Sequence, residues 1–296
     1  MKVVVSGASG LIGSALVTSL GDAGHDVVRL VRRPAEMSSE LQWDPDAGML
    51  DRARLAGVEA AVNLSGENIG QRWTARRRAE ILQSRVTATG LLARTLAELE
   101  PHPAVFVCAG GSGIYGDRGD EILTEESDLG TGFLADVGRA WEAAAEPART
   151  AGIRVVNFRQ GIVLARDEGA LDRMLTPFRL GLGGRVGSGR QWWSWVALDD
   201  TVAAYRFVIE HDVSGPVNLC APNPVTNAQF VKALGRALGR PAVFPFPAFA
   251  VKAAFGKMGE TVLLESQRML PAALLDAGFT FGYPDLGPAL EHVLER

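Results

Sequence analysis

Gly7, Gly10 and Gly13 stand three residues apart in Ser6-Gly7-Ala8-Ser9-Gly10-Leu11-Ile12-Gly13, directly after the β-branched run Val3–Val5 and ahead of a helical pattern reaching about Ala23. Between a strand and a helix, such glycines let the backbone approach a diphosphate closely. The first N–H groups of the helix and its positive dipole end then hold the charge. A glycine turn used only for tight packing is the alternative. At the end of the second strand, where the adenosine ribose of a dinucleotide would lie, the chain reads Val31-Arg32-Arg33-Pro34. An NAD site usually carries an acid there to accept from both ribose hydroxyls. Arginine accepts nothing, but its planar fork pairs with a 2′-phosphate. The pattern points to NADP(H), with Arg32 and Arg33 at the phosphate. Two solvated arginines, with Asp44 reaching the ribose, are the other reading.

These groups need elements to position them. After the first strand–turn–helix, Gly24 ends the helix and Asp26–Val31 reads as a second strand. Ala60–Leu64 and Ala104–Cys108 are further apolar strands, separated by a helical stretch from about Thr74 to Glu98. Another helix pattern runs from about Leu134 to Thr150 into the strand Arg154–Phe158, and Pro216–Leu219 is a later strand. Strands alternating with helices predict an α/β fold, a doubly wound parallel Rossmann sheet covered on both faces, with a smaller C-terminal substrate lobe. The expected division is a binding domain at 1–165, to which 196–220 returns, and a mainly helical lobe from 166–195 and 221–296.

Composition excludes several classes. The 296 residues carry 34 acidic and 30 basic side chains, a net charge of −4, which offers no broad basic field for nucleic acid or an anionic membrane. The most apolar run, Ala242–Phe255, is interrupted by Pro245, Pro247 and Lys252, and the glycine-rich start is not a signal peptide, so a cytoplasmic location is expected. Two cysteines and four scattered histidines make neither a disulfide framework nor a metal site. The expected partner is a small-molecule substrate, and a homo-oligomer stays open.

The glycine turn, Leu64-Ser65-Gly66 and Ile114-Tyr115-Gly116 together resemble the extended short-chain dehydrogenase/reductase superfamily, of the sugar-nucleotide epimerase/dehydratase type. Asn63–Ile69, Arg72-Trp73-Thr74, Ser84-Arg85-Val86, Gly132–Ala135 with Trp141-Glu142, Gly161–Leu164 and Ala221–Asn227 resemble an atypical "epimerase family" subgroup with unassigned substrates and a small C-terminal domain of unknown function. The resemblance runs from residue 1 to about 293. It implies that Gly7, Ser9, Gly10, Leu11 and Ile12 hold the pyrophosphate and Arg32 the 2′-phosphate. Leu64, Ser65 and Gly66, followed by Glu67, would lie along the adenosine or the riboses. Ala109 and Gly110 would border the nicotinamide, with Gln160 and Ile162 flanking the same ring.

The superfamily's chemistry uses a tyrosine, a lysine four residues later whose charge favours the phenolate, and a serine. Here Tyr115, Tyr205 and Tyr283 are followed at that spacing by Gly119, Ile209 and Gly287, and no lysine occurs between Lys2 and Lys232. Alignment through Glu142 puts Leu134 at the tyrosine position and Gly138 at the lysine position. Gly111 takes the serine position, with Ser112 beside it. Candidate replacements are Tyr115 as a donor to a substrate oxygen, Ser112, and Arg85 as a positive charge or a further cofactor contact. Each has a bland alternative, a structural tyrosine above all. Two functions follow: an oxidoreductase transferring hydride to or from an unknown small molecule, or a non-catalytic NADP(H)-binding sensor or scaffold. Among other features, the glycine segment 181–189 reads as a lid carrying Arg185 and Arg190 toward an anionic group or as an exposed loop. Trp192, Trp193 and Trp195 read as the wall of a substrate pocket or, with Trp193 and Trp195 on one strand face, as packing between lobes, and Asp199-Asp200 as a helix cap.

Overall fold

A computed structural model describes residues 1–295. Its centre is an eight-stranded sheet of β1 (Lys2–Ser6), β2 (Asp26–Val31), β3 (Glu40–Asp44), β4 (Met49–Leu50), β5 (Ala60–Asn63), β6 (Val105–Cys108), β7 (Arg154–Gln160) and β8 (Gly215–Leu219). The strands lie in the order β8-β7-β6-β5-β1-β2-β3-β4, and every pair is parallel except β3–β4. The chain leaves β1 toward β2 on one side and reaches β5 on the other. The carboxyl ends of β1 and β5 therefore flank the switch point where doubly wound sheets bind ligands.

Central parallel strands are covered on both faces, so Val3, Val4 and Val5 are all buried. Side chains alternate along a strand, and the two cores divide accordingly. Val3 and Val5 pack with Leu16 and Leu20 of α1 (Leu11–Asp22) and with Tyr205 and Val208 of the helix Leu198–Glu210. Val4 faces the other way, toward Leu92 and Leu96 of α2 (Ala75–Ala97) and Ala148. Thr74 caps α2 by accepting from the Arg77 N–H.

Three local readings are corrected. The helix expected over 134–150 is two pieces, α3 (Phe133–Ala143) and Glu146–Thr150, because the chain turns at Ala144-Ala145 and Pro147 starts the second piece. Asp200 does not cap its own helix; its carboxylate accepts from the backbone N–H groups of Gly282 and Tyr283 and holds the C-terminal segment instead. Leu274, Phe279 and Phe281, assigned by sequence to the second lobe, pack into the main-sheet core. A further core joins Leu171, Leu175, Trp193, Trp195, Phe230 and Leu290 in the C-terminal region, where Trp193 and Trp195 both pack.

The β3–β4 hairpin was not legible in sequence, and it carries a buried charge. Glu40 at the start of β3 is 1% exposed, accepts both terminal nitrogens of Arg33 at 2.9 and 2.8 Å and the Glu36 N–H at 2.9 Å, and lies 3.3 Å from Arg29. These bonds fix the turn after β2. They also hold the Glu40 carboxyl down at about 2, chiefly through the Arg33 hydrogen bond. A carboxyl at about 2 when folded and near 4.5 when unfolded stabilises the fold above pH 4.5 and loses that contribution as pH falls toward 2. Thermal melts of wild type and Glu40→Gln across this window should therefore converge as pH falls, with wild type the more stable at neutral pH. Parallel curves would show that Glu40 is not the coupled group.

Candidate nucleotide site at the head of the first helix

The turn between β1 and α1 is built around its glycines. Gly7 has φ +68, and a methyl group there would sit 2.7 Å from the Leu64 carbonyl carbon. At Gly13 a methyl would come 2.1 Å from the Gly7 carbonyl oxygen, so this glycine lets helix and strand pack. Gly10 differs. It is exposed, has φ −80, and its added methyl would meet only the Gly7 oxygen at 3.5 Å. It is also the N-cap of α1, which has no capping side chain and no acid in its first turn. The leading N–H groups of α1 are thus left without intrahelical partners beside an open surface formed by Ser9 and Gly10.

Arg32 and Arg33 part company here. Arg33 is committed to Glu40, which corrects its assignment to a phosphate. Arg32 is exposed. Asp44 accepts the N–H groups of Asp46 and Ala47 on one carboxylate oxygen and so shapes the hairpin turn.

On the far side of the crevice, the loop 64–67 is held by a polar chain that sequence reading missed. Asn63, the last residue of β5, accepts from Ser6 Oγ and from the Ser65 N–H at 3.1 Å, and donates to Thr89 Oγ1 at 2.7 Å. Thr89 also accepts from Trp141 Nε1 at 2.9 Å. Arg85 lies over the Trp141 ring at 4.8 Å and donates to the Glu67 and Ile81 carbonyls. Burial lowers its pKa to about 10, and its carbon Cζ would sit 3.1 Å from any methyl at Gly66. Arg85 is therefore turned into the loop rather than toward a reacting group. Glu67 pairs with Arg77 at 2.9 Å, which accounts for it as a loop acid. A polar residue closing an otherwise apolar strand, Asn63, was the available signal.

Tyr115 is also corrected. It is fully buried in the short helix Ser112–Tyr115 beyond β6, and its hydroxyl contacts Asn218 at 2.8 Å, Arg159 at 2.9 Å and the Thr124 carbonyl at 3.0 Å. Burial pushes its pKa upward, against the direction proton exchange near neutrality requires. Arg159 in turn makes a two-pronged pair with Glu142. Ser112, in contrast, is half-buried beside Gly111 at the strand end, and no hydrogen-bond partner of its hydroxyl occurs among the described residues. The positions aligned with the tyrosine and lysine are filled by packing. Leu134 Cβ would be 2.8 Å from a methyl at Gly113, and a methyl at Gly138 would be 2.8 Å from Ile114 Cβ. No side chain fits at 138 unless α3 moves outward.

Ala109 is buried and donates to the Asn63 carbonyl, and Gly110 lies where a methyl would be 2.2 Å from the Phe158 oxygen. Gln160 Oε1 accepts from the Tyr205 hydroxyl, and Ile162 pairs with Trp195. The segment 181–189 is not a free lid. Phe244 donates to Gly183 and Phe246 to Arg185, while Gly187 donates back to Phe246.

The residues thus place an uncapped glycine turn, an exposed arginine and a braced loop around one sheet crevice. The NAD dependent epimerase/dehydratase family matches residues 3–220, and a domain of unknown function, DUF1731, matches 246–293. This chain belongs to the NAD dependent epimerase/dehydratase family. An epimerase family protein of Mycobacterium tuberculosis is 45% identical over 296 residues, covering 99% of this chain and 98% of the relative. The crystal structure of human epimerase family protein SDR39U1 with NADPH superposes with a TM-score of 0.92 at 36% identity, covering 100% of this chain and 99% of that one. A nucleoside-diphosphate sugar epimerase structure from Corynebacterium glutamicum gives 0.82 at 38% identity, over 99% of this chain and 58% of that one. The family member described here is an extended short-chain fold with a smaller C-terminal region. Among its described residues no helix is long and apolar enough to cross a membrane, and no group of three or more His, Cys, Asp or Glu could hold a metal.

Proposed function

We propose that this chain binds NADP(H) and serves as an oxidoreductase, moving hydride to or from a small molecule without the proton relay of sugar-nucleotide epimerases. The observation that carries the reading is the uncapped head of α1 beside an exposed Arg32 and a committed Arg33. The human relative's NADPH supports the same choice of nucleotide. The site fits the group: an open face at Gly10 before the unpartnered leading amides of α1 suits a diphosphate, and the exposed Arg32 guanidinium just past β2, with Arg33 committed to Glu40, suits a 2′-phosphate.

When bound, the nucleotide supplies or accepts the hydride; the chain supplies positions and charge. Backbone N–H groups of Ser9, Leu11 and Ile12 would hold the diphosphate, with Gly10, whose own N–H donates to the Gly7 carbonyl, leaving the face open and Gly7 and Gly13 setting the turn. Arg32 selects the phosphorylated ribose. Leu64, Ser65 and Gly66, braced by Asn63 and Arg85, border the adenosine side, and Ala109, Gly110, Gln160 and Ile162 border the ring. Ser112, with an uncommitted hydroxyl, is the group best suited to donate to a substrate oxygen and polarise it. Hydride transfer needs positioning and a polarised acceptor, which this set provides.

The packing of Leu134 and Gly138 favours a second reading, a non-catalytic NADP(H) sensor. A panel of carbonyl compounds assayed by NADPH oxidation separates the two. Turnover that falls about tenfold or more in Ser112→Ala, with unchanged NADPH affinity, supports the oxidoreductase; tight NADPH binding without turnover across the panel supports the sensor. Tyr115→Phe should lower stability by about 1 kcal/mol through its lost hydrogen bonds and leave NADPH affinity unchanged.

A further inference from the structure

The charge of this acidic chain is unevenly distributed. From Arg173 to Leu198, and again from Val213 to Gly259, no carboxylate occurs, while nine arginines and lysines do. The two stretches meet at a groove of about 610 Å³. Arg185 reaches it from the glycine segment; Lys232 and Arg236, one helical turn apart on Asn227–Ala237, and Arg240 complete its cationic lining. All four are exposed, none has a carboxylate partner among the described residues, and no acid lines the groove. Lys252 and Lys257, by contrast, both pair with Glu260. The rest of the lining is apolar, with Val231, Ala242 and Pro245, and Val243 at 70% and Phe244 at 55% exposure stand uncovered beside it. The walls are fixed by the backbone bonds of 183–187 to 244–246 and by Val186 N–H to Asn227 Oδ1 at 2.8 Å.

We propose that this groove binds an organic phosphate, its head among Arg185, Lys232, Arg236 and Arg240 and its apolar portion on Val231, Val243 and Pro245. Four like charges around one concavity repel, and a phosphate relieves that repulsion with charge-assisted bonds. The apolar lining gives a hydrocarbon portion a surface that an inorganic ion leaves exposed. The volume falls in the ordinary range for a small-molecule site. The groove is also separate from the head of α1. Gly169 begins its helix against Leu11, and the eleven residues to Arg179, about 16 Å of helix, intervene before the glycine segment.

The test uses the full chain with NADPH present, so that the nucleotide crevice is filled, and titrates hexyl phosphate and inorganic phosphate by calorimetry. Saturable binding of hexyl phosphate, tighter than inorganic phosphate and weakened about tenfold or more in Lys232→Glu/Arg236→Glu, supports the proposal. Both positions are exposed, so the variant should melt like wild type. Sedimentation with phosphatidylcholine vesicles, with and without phosphatidic acid, assigns the source. Co-sedimentation that needs phosphatidic acid and is lost in the variant points to a lipid headgroup; hexyl phosphate binding without it points to a soluble ester. No saturable binding of either probe, equal affinities for the two phosphates, or equal binding by wild type and variant overturns the proposal.

Discussion

Gly10→Ala should leave the cofactor-free protein almost as stable as wild type while weakening NADPH binding by about tenfold or more, and Gly13→Ala should cost about 3 kcal/mol of stability before any nucleotide is added. The contrast comes from what each methyl group would meet. At Gly13 it would lie 2.1 Å from a backbone oxygen, which no rotamer change relieves, so α1 must shift from β1. At Gly10 it would reach only the Gly7 oxygen at 3.5 Å, and φ −80 suits any residue, so the loss is less than about 1 kcal/mol of cap preference. The open side of Gly10 is where a diphosphate must approach the α1 amides. Melting curves without nucleotide and titrations with it read the two effects separately. Equal destabilisation by the two substitutions, or wild-type affinity in Gly10→Ala, would mean that the glycines serve packing alone.

Arg159→Met should destabilise the fold by about 3 kcal/mol, and Arg159→Met/Glu142→Leu should recover much of that loss. Arg159 is 5% exposed and holds Glu142 by two hydrogen bonds besides one to Tyr115. Its removal strands a carboxylate that is only 22% exposed, so the cost lies at the lower end for a broken buried pair. Replacing both members leaves no unpaired charge. A drop in melting temperature no larger than that of the exposed Arg76→Met would show the pair to be incidental. This network also explains why Tyr115 is poorly placed for proton chemistry: its hydroxyl completes the structure that joins β7, β8 and the loop after β6.

The parallel sheet and its glycine turn were legible because local periodicity and the strand–turn–helix context pointed the same way. Val3–Val5 must be a buried central strand, and Gly13 must lie against the turn, whatever the rest of the chain does. The β3–β4 hairpin was not legible, since Glu40 and Asp44 make Glu40–Asp44 look polar until Arg33 and the hairpin turn are seen to use them. Adjacent arginines looked interchangeable in sequence; only a partner seven residues away, Glu40, separates Arg33 from Arg32. Arg85 and Tyr115 had suitable types near suitable strand ends. Their commitments, to the Glu67 carbonyl and to Asn218, Arg159 and Thr124, are tertiary contacts that residue spacing does not encode.

The central claim, a phosphorylated dinucleotide selected by Arg32, is tested most directly by calorimetric titration of NADPH and NADH into wild type and Arg32→Asp. The account expects wild type to prefer NADPH. It expects the variant to lose about a hundredfold in NADPH affinity, as for a removed charge-assisted pair worth up to about 3 kcal/mol, while NADH changes by only a few-fold. Equal losses for the two nucleotides, or NADPH binding untouched by the substitution, would contradict it.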